Sequence, residues 1–385
     1  MGPEEILSQR LRKRFNENSF RTLRPADFSK ADFASNDYLG FARTPELAEL
    51  CSGAWERLRA KGDTRFTGSG GSRLLSGDST YAHYLEEVIA EFFHSESSLI
   101  FNSGYTANLA LFSALPSRTG TVLYDDLIHA SVRDGVRMSG CRAWSFRHNN
   151  LEHLEDLLVK AQGEKWVVAE TVYSMDGDSP DLRQMVELCE FHKAALIVDE
   201  AHSGGIQGEN GSGMCVQMGL QHRVFARLFT FGKAFGVHGA AVCGSHTLIN
   251  YLINFARPFI YSTALPLHDL AAIRCSLKHA EAAEAQRVNL HRLVDYFRIT
   301  VSASSLRGKL IPSETPIQGI IIPGNQEVRR VAEACQSAGM DVRPVLSPTV
   351  KAGSERLRII LHAYNTTAEV DRLIAAVSGA LVDKT

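Results

Sequence analysis

The chain has 385 residues, 44% of them hydrophobic and 22% charged, with a formal net charge of -2. That length exceeds one small core, so two closely docked domains are expected, and so even a charge balance speaks against a nucleic-acid or membrane partner. The cysteines at 51, 141, 189, 215, 243, 275 and 335 are odd in number, dispersed and free of any C-x-x-C pair, which argues against a disulfide framework or a structural zinc site.

In chain order, "MGPEEILSQRLRKRF" is charged from its fourth residue and lacks the apolar core of a signal peptide. No run approaches a membrane span, and the dispersed, unpaired cysteines make a reducing cytoplasm the expected location. The glycine-rich "RFTGSGGSRLLSGDS" (65–79) has no strand before it and does not match a dinucleotide fingerprint. "YAHYLEEVIAEFF" places Leu85, Val88, Ile89 and Phe92 on one helical face. Between about 98 and 243 come the apolar runs "SLIF", "GTVLY", "KWVVAE", "AALIVDE", "RLFTF" and "GAAVC", several separated by helical patterns such as Met185, Val186, Cys189 and His192. Strands alternating with helices predict an α/β fold with a mostly parallel sheet covered on both faces. After about 265 a long polar helical stretch (267–303) leads to "IQGIIIP", an amphipathic helix with Val328, Val331, Ala332 and Cys335, and "RLRIIL". The expected organisation is an N-terminal arm (1–45), a large α/β domain (46–265) and a smaller α+β domain (266–385).

Ligands of open α/β sheets sit beyond the carboxyl ends of the strands, so the residues just after each run carry the functional reading. In "LFTFGKAFGVHGAA" (228–241), Lys233 follows an apolar run and stands at the rim of a core. There it loses hydration, which lowers its pKa and makes it a usable nucleophile; the alternative is a lysine that caps a turn and snorkels to water. Asp199 and His202 follow "AALIV", suited to hold a heteroaromatic ring, although Asp is also a good helix cap. "DEAH" occurs in helicases, but no phosphate loop accompanies it. Gly104 and Tyr105 sit in a turn before a helix read from Ala107 onward, where free N–H groups and the helix dipole favour an anion. His129 follows "GTVLYDD". Glu170, Ser174, Asp176 and Asp178 crowd one turn without the spacing of a calcium loop, so no metal is expected. No G-x-S-x-G elbow supports a serine hydrolase.

Pyridoxal phosphate accounts for these features together. It needs a lysine for its aldehyde, an acid for its pyridine nitrogen, a partner for its phenolic oxygen, a ring to stack on and an anion site. Lys233, Asp199, His202, His129 and the 102–106 turn fill those roles in turn.

The residues also resemble the α-oxoamine synthases, a branch of the fold-type I pyridoxal-phosphate enzymes. The matching stretches include "ASNDYLGF" (34–41), "GSGGSRLLSGDSTYAHYLEE" (68–87), "FNSGYTAN" (101–108), "ETVYSMDGD" (170–178), "IVDEAHSGGIQGENGSG" (197–213), "TFGKAFGVHGAAV" (230–242), "FIYSTALP" (259–266) and "RLRI" (356–359). The resemblance implies a large mostly parallel-sheet domain, a smaller C-terminal domain and a cytoplasmic homodimer. It implies Lys233 as the lysine bonded to the cofactor, Asp199 on the pyridine nitrogen, His202 on the ring oxygen with Ser174 near it, and His129 stacked on the ring. Gly104, Tyr105 and Thr230 are implied as the phosphate grip, with Ser262 and Thr263 reaching it from the neighbouring subunit. Asn36 and Arg358 match positions at the amino-acid substrate, with Arg358 on its carboxylate, a task suited to a planar fork; Arg21 matches a pocket residue. The implied reaction is a decarboxylative condensation of L-alanine with a pimeloyl thioester, carried by CoA or a carrier protein, in biotin synthesis. Leu346 stands where many members of that branch carry an arginine; either Arg343, three residues earlier, substitutes or the end of the acyl chain is recognised differently. The rivals are a sister synthase using glycine or serine, and a non-catalytic partner subunit, which would lack the lysine or its acid.

Overall fold

The protein is described by a computed structural model over residues 2–60 and 67–382. Residues 65 and 66 of the glycine-rich stretch, and the ends of the expected arm and small domain at 1 and 383–385, lie outside the described residues. The strands are β1 (Ala31–Asp32), β2 (Ser97–Phe101), β3 (Thr121–Asp125), β4 (Arg142–Phe146), β5 (Lys165–Glu170), β6 (Ala195–Asp199), β7 (Ala226–Thr230), β8 (Ala240–Gly244), β9 (Ile317–Ile321), β10 (Met340–Asp341), β11 (Arg343–Val345) and β12 (Arg356–Ile360). All six apolar runs between 98 and 243 are strands.

The chain divides into two compact units: 39–174 with 179–287, and 1–38 with 175–178 and 288–385. The first holds a seven-stranded sheet in the order β2-β8-β7-β6-β5-β3-β4. Its pairings are parallel except those of β8, which runs antiparallel to both β2 and β7. Side chains alternate across a strand, so Val168 and Ile197 face one core cluster and Val167, Ala169, Leu196 and Val198 the other. The first cluster includes the helices Gly104–Ala114 and Ala130–Ser139; the second includes Leu151–Lys160 and Leu182–Phe191. Covering both faces is why these strands read as continuous apolar runs. The exception is β4, an edge strand with Arg142, Ala143 and Ser145 exposed, which the apolar pattern does not show.

The second unit holds an antiparallel sheet, β11-β12-β9, and a parallel pair, β1 with β10. Helix Asn325–Ser337 buries Val328, Val331, Ala332 and Cys335, the face its spacing predicts. Its boundaries differ from the expected 1–45, 46–265 and 266–385. The N-terminal segment is no separate arm: Ala31 pairs with Met340, and Ile360 donates its N–H to the carbonyl of Phe33 at 2.9 Å. Helix Leu267–Glu281 packs against helices Pro45–Ala60 and Thr80–Phe92 and stays with the first unit. Composition marks where polarity changes along the chain, whereas a unit boundary depends on which partner buries each helix face.

Candidate active site

Strand register sets the floor of the site. Glu170 pairs with Asp199 across β5 and β6, and Asp199 with Leu228 across β6 and β7. Two carboxylates therefore end adjacent strands on backbones about 4.8 Å apart. Beyond β7 the chain turns back at Gly236, which has φ +65°, and a Cβ there would stand 2.4 Å from the backbone nitrogen of Ala42. Only glycine fits that close approach. The turn carries half-buried Lys233, whose Nζ lies 2.7 Å from Nε2 of buried His202. Lys233, His202, Asp199, His129, Thr230, Gly104 and Tyr105 line one cleft of about 200 Å³, joined by Asn108 and Glu170.

Each wall group is aimed by a neighbour. Asp199 is buried; its Oδ1 accepts the N–H of Ala201 at 2.9 Å and its Oδ2 the amide of Asn108 at 2.9 Å. His129 caps helix Ala130–Ser139 and opens to the cleft, where desolvation holds its imidazole below the usual pKa. The helix opposite begins at Gly104 rather than at Ala107, with Ser103 as its N-cap accepting from Thr106 N–H. That start leaves the N–H groups of Gly104 and Tyr105 without intrahelical partners. A Cβ at Gly104 would stand 3.6 Å from that of Thr230, so the bare backbone and the threonine flank the same space. Tyr105 donates its hydroxyl to Asp134.

Glu170, Asn108 and Ser131 receive no role from the sequence, although Glu170 and Asn108 lie in matched stretches. Asn108 is the polar residue on a helix face otherwise made of Ala107, Ala110, Leu111 and Phe112, and a lone amide on a buried apolar face is the signal that finds it. Buried Glu170 accepts the N–H of His129 at 2.7 Å and, on its other oxygen, that of Ser174 at 3.3 Å. Burial first, and then the charge of Asp199, push its pKa up to about 8 from the ordinary 4.5. Unfolded, the carboxyl loses its proton near 4.5, while the fold keeps it to near 8, so this group makes stability fall as pH rises through that window. Glu170→Gln should flatten this slope in denaturant titrations of the cofactor-free protein. It should also cost about 1–3 kcal/mol, because an NH2 then faces one of the two backbone N–H groups. An unchanged slope would contradict the assignment.

The remaining expected residues lie elsewhere. Ser262 and Thr263 line a second cavity with Arg73 and Asn102, and Asn102 donates its amide to the carbonyl of Thr263 at 2.9 Å. Asn36 and Arg358 belong to the other unit, where Arg358 Nη2 donates to Asn36 Oδ1 at 3.0 Å and the hydroxyl of Tyr38 to the same oxygen at 3.3 Å. Exposed Arg21 donates to the hydroxyl of Thr349 at 3.3 Å. Arg343 is engaged by both oxygens of Asp341 at 2.9 Å.

An amine, a carboxylate, two imidazoles and a helix N-terminus around one cleft make a donor set that fits pyridoxal phosphate, with Lys233 for the aldehyde and Asp199 for the ring nitrogen. Comparison with known proteins agrees. The model of the family "Aminotransferase class I and II" matches residues 29–377. The 8-amino-7-oxononanoate synthase of Cellvibrio japonicus is 40% identical over 89% of this chain and 84% of its own. The structure of the 8-amino-7-oxononanoate synthase of Francisella tularensis superposes with a TM-score of 0.79 at 28% identity, over 93% of this chain and 99% of that one. Sphingomonas wittichii serine palmitoyltransferase superposes with a TM-score of 0.88 at 25% identity, over 98% and 97%. The cofactor of this family is pyridoxal phosphate, and the cleft around Lys233 has the groups to hold it. The chain belongs to the class I and II aminotransferase family, in its 8-amino-7-oxononanoate synthase branch.

Proposed function

We propose that the chain condenses L-alanine with a pimeloyl thioester, giving 8-amino-7-oxononanoate, CO2 and the free thiol, in biotin synthesis. The observation that carries this is Lys233 beside His202 in the cleft that also holds Asp199 and His129, in a chain 40% identical to an 8-amino-7-oxononanoate synthase. When bound, pyridoxal phosphate supplies an electron-withdrawing ring that makes the Cα proton of the amino acid acidic. Asp199, held by two donors, would present a carboxylate to the ring nitrogen, and His202, with Ser174, would meet the ring oxygen. His129 would cover the ring face. Lys233 takes the Cα proton as general base and later returns it. Gly104, Tyr105 and Thr230 would hold the phosphate together with the partner subunit's Ser262 and the partner subunit's Thr263, so the working form would be a homodimer. Arg358 and Asn36 take the carboxylate of the amino acid. Among the described residues no helix is long and apolar enough to cross a membrane, and a cytoplasmic location accords with seven free cysteines.

Serine palmitoyltransferase is the second reading, favoured by its higher TM-score. Backbone superposition follows the shared fold, whereas identity also counts pocket side chains, and 40% against 25% favours the first reading. Thiol and CO2 release should be fastest with alanine and pimeloyl-CoA in a panel of alanine, glycine and serine against pimeloyl-, acetyl- and palmitoyl-CoA. A preference for serine with palmitoyl-CoA would replace this reading.

The far carboxylate of the pimeloyl chain needs a cation or water. Asp341 already neutralises Arg343, while no carboxylate among the described residues pairs with Arg21. Arg21 is the better candidate. Because it is exposed, water screens the pair, and Arg21→Ala should lower kcat/KM for pimeloyl-CoA about fivefold, not the hundredfold of a buried pair. Arg343→Ala should leave it within twofold, and neither change should affect an uncharged chain of equal length. A larger loss in Arg343→Ala would reverse the assignment.

A further inference from the structure

Four side chains beside the cleft form one continuous hydrogen-bonded relay. The buried amide of Asn108 donates one N–H to Asp199 Oδ2 at 2.9 Å and the other to Ser131 Oγ at 3.0 Å. Flipped, its carbonyl would face the Asp199 carboxylate, acceptor against acceptor, so the nitrogen lies on this side. Ser131 Oγ thus accepts from Asn108, and its own hydrogen goes to His129 Nδ1 at 2.7 Å. The backbone N–H of Ser131 points at the same nitrogen at 3.3 Å, because His129 is the N-cap of its helix. With two donors converging on Nδ1, the ring proton sits on Nε2.

We infer that Asn108 and Ser131 are positioning residues that hold His129 as its neutral Nε2–H tautomer and tie it to the amide that aims Asp199. One side chain, Asn108, thereby sets both the face group and the nitrogen partner of the cofactor cleft. Desolvation, with the charge of Lys233, disfavours a second proton on His129 and outweighs Asp199 and Asp134, which favour it. The consequence for the cofactor rests on the reading above, whereas the tautomer is a property of the chain itself.

Nitrogen spectra of full-length protein labelled with 15N-histidine, recorded with and without pyridoxal phosphate, test the relay, with His129 assigned by its loss in His129→Asn. The expected result is an unprotonated, acceptor-type Nδ1 and a protonated Nε2 in both states. Ser131→Ala should move both nitrogens towards a tautomer mixture, and Ser131→Thr, which keeps the hydroxyl, should restore them. Asn108→Leu should raise the dissociation constant of pyridoxal phosphate about tenfold, while Ser131→Ala changes it less than twofold. A protonated Nδ1 in the wild type, or unchanged nitrogen shifts in Ser131→Ala, would overturn the inference. Should the variants fail to fold, the wild-type spectrum decides it. That outcome is independent of substrate preference, so its failure leaves the alanine and pimeloyl reading standing, and the reverse also holds.

Discussion

Lys233→Ala protein should bind pyridoxal phosphate and turn over at least about 10³-fold more slowly than the wild type. Among the described residues of the cleft, the substitution removes the only side chain able both to bond the cofactor aldehyde and to take a Cα proton, and general-base catalysis alone is worth about 10²–10⁴-fold. Binding should survive, because the two donors on Asp199, the helix start at Gly104 and the imidazole of His129 do not depend on the lysine. The amine lies 2.7 Å from His202 Nε2, so its loss also removes a close donor from that imidazole. Steady-state assays and a visible-absorbance titration measure the two effects separately. Borohydride treatment of the wild type, followed by peptide mapping, should find the cofactor on the peptide that contains Lys233; an adduct on another lysine would end the assignment. Mixed and refolded with Thr263→Ala chains, the Lys233→Ala chains should regain part of their activity if the phosphate site is shared between subunits.

For Asp199→Asn the expected loss of turnover is about 10²-fold or more, the magnitude typical of removing one preorganised electrostatic partner of a reacting group. The charge is the point: a carboxylate at the ring nitrogen favours its protonated, electron-withdrawing form, and a neutral amide does not. Asn at this position also meets a conflict of donors. Asp199 accepts from both Ala201 N–H and the Asn108 amide, so one oxygen replaced by NH2 sets donor against donor in a buried place. That conflict should lower stability by about 1–3 kcal/mol and loosen the cofactor, both readable by denaturant and absorbance titration. Turnover within a factor of three of the wild type would show that Asp199 is not the nitrogen partner.

The sequence alone determined six of the seven strands of the large sheet and which polar side chains stand at their ends. Burial on both faces makes β2, β3, β5, β6 and β7 mainly apolar runs, and Lys233, Asp199, His202 and His129 stand at or just beyond the ends of such runs, in positions where a polar residue stands out. The edge strand β4 escaped because its exposed side chains erase the apolar pattern, and the antiparallel course of β8 escaped because direction leaves no mark in composition. Only the tertiary structure decided that the N-terminal segment belongs with the C-terminal unit, since the pairing of Ala31 with Met340 spans nearly the whole chain. It alone distinguished Arg343, occupied by Asp341, from Arg21, because an ion pair consumes a charge without changing its letter. The roles of Glu170, Asn108 and Ser131 were likewise decided in three dimensions. Their partners come from other strands and helices, and the physics that matters there, burial and the convergence of donors on one atom, exists only once those elements are packed.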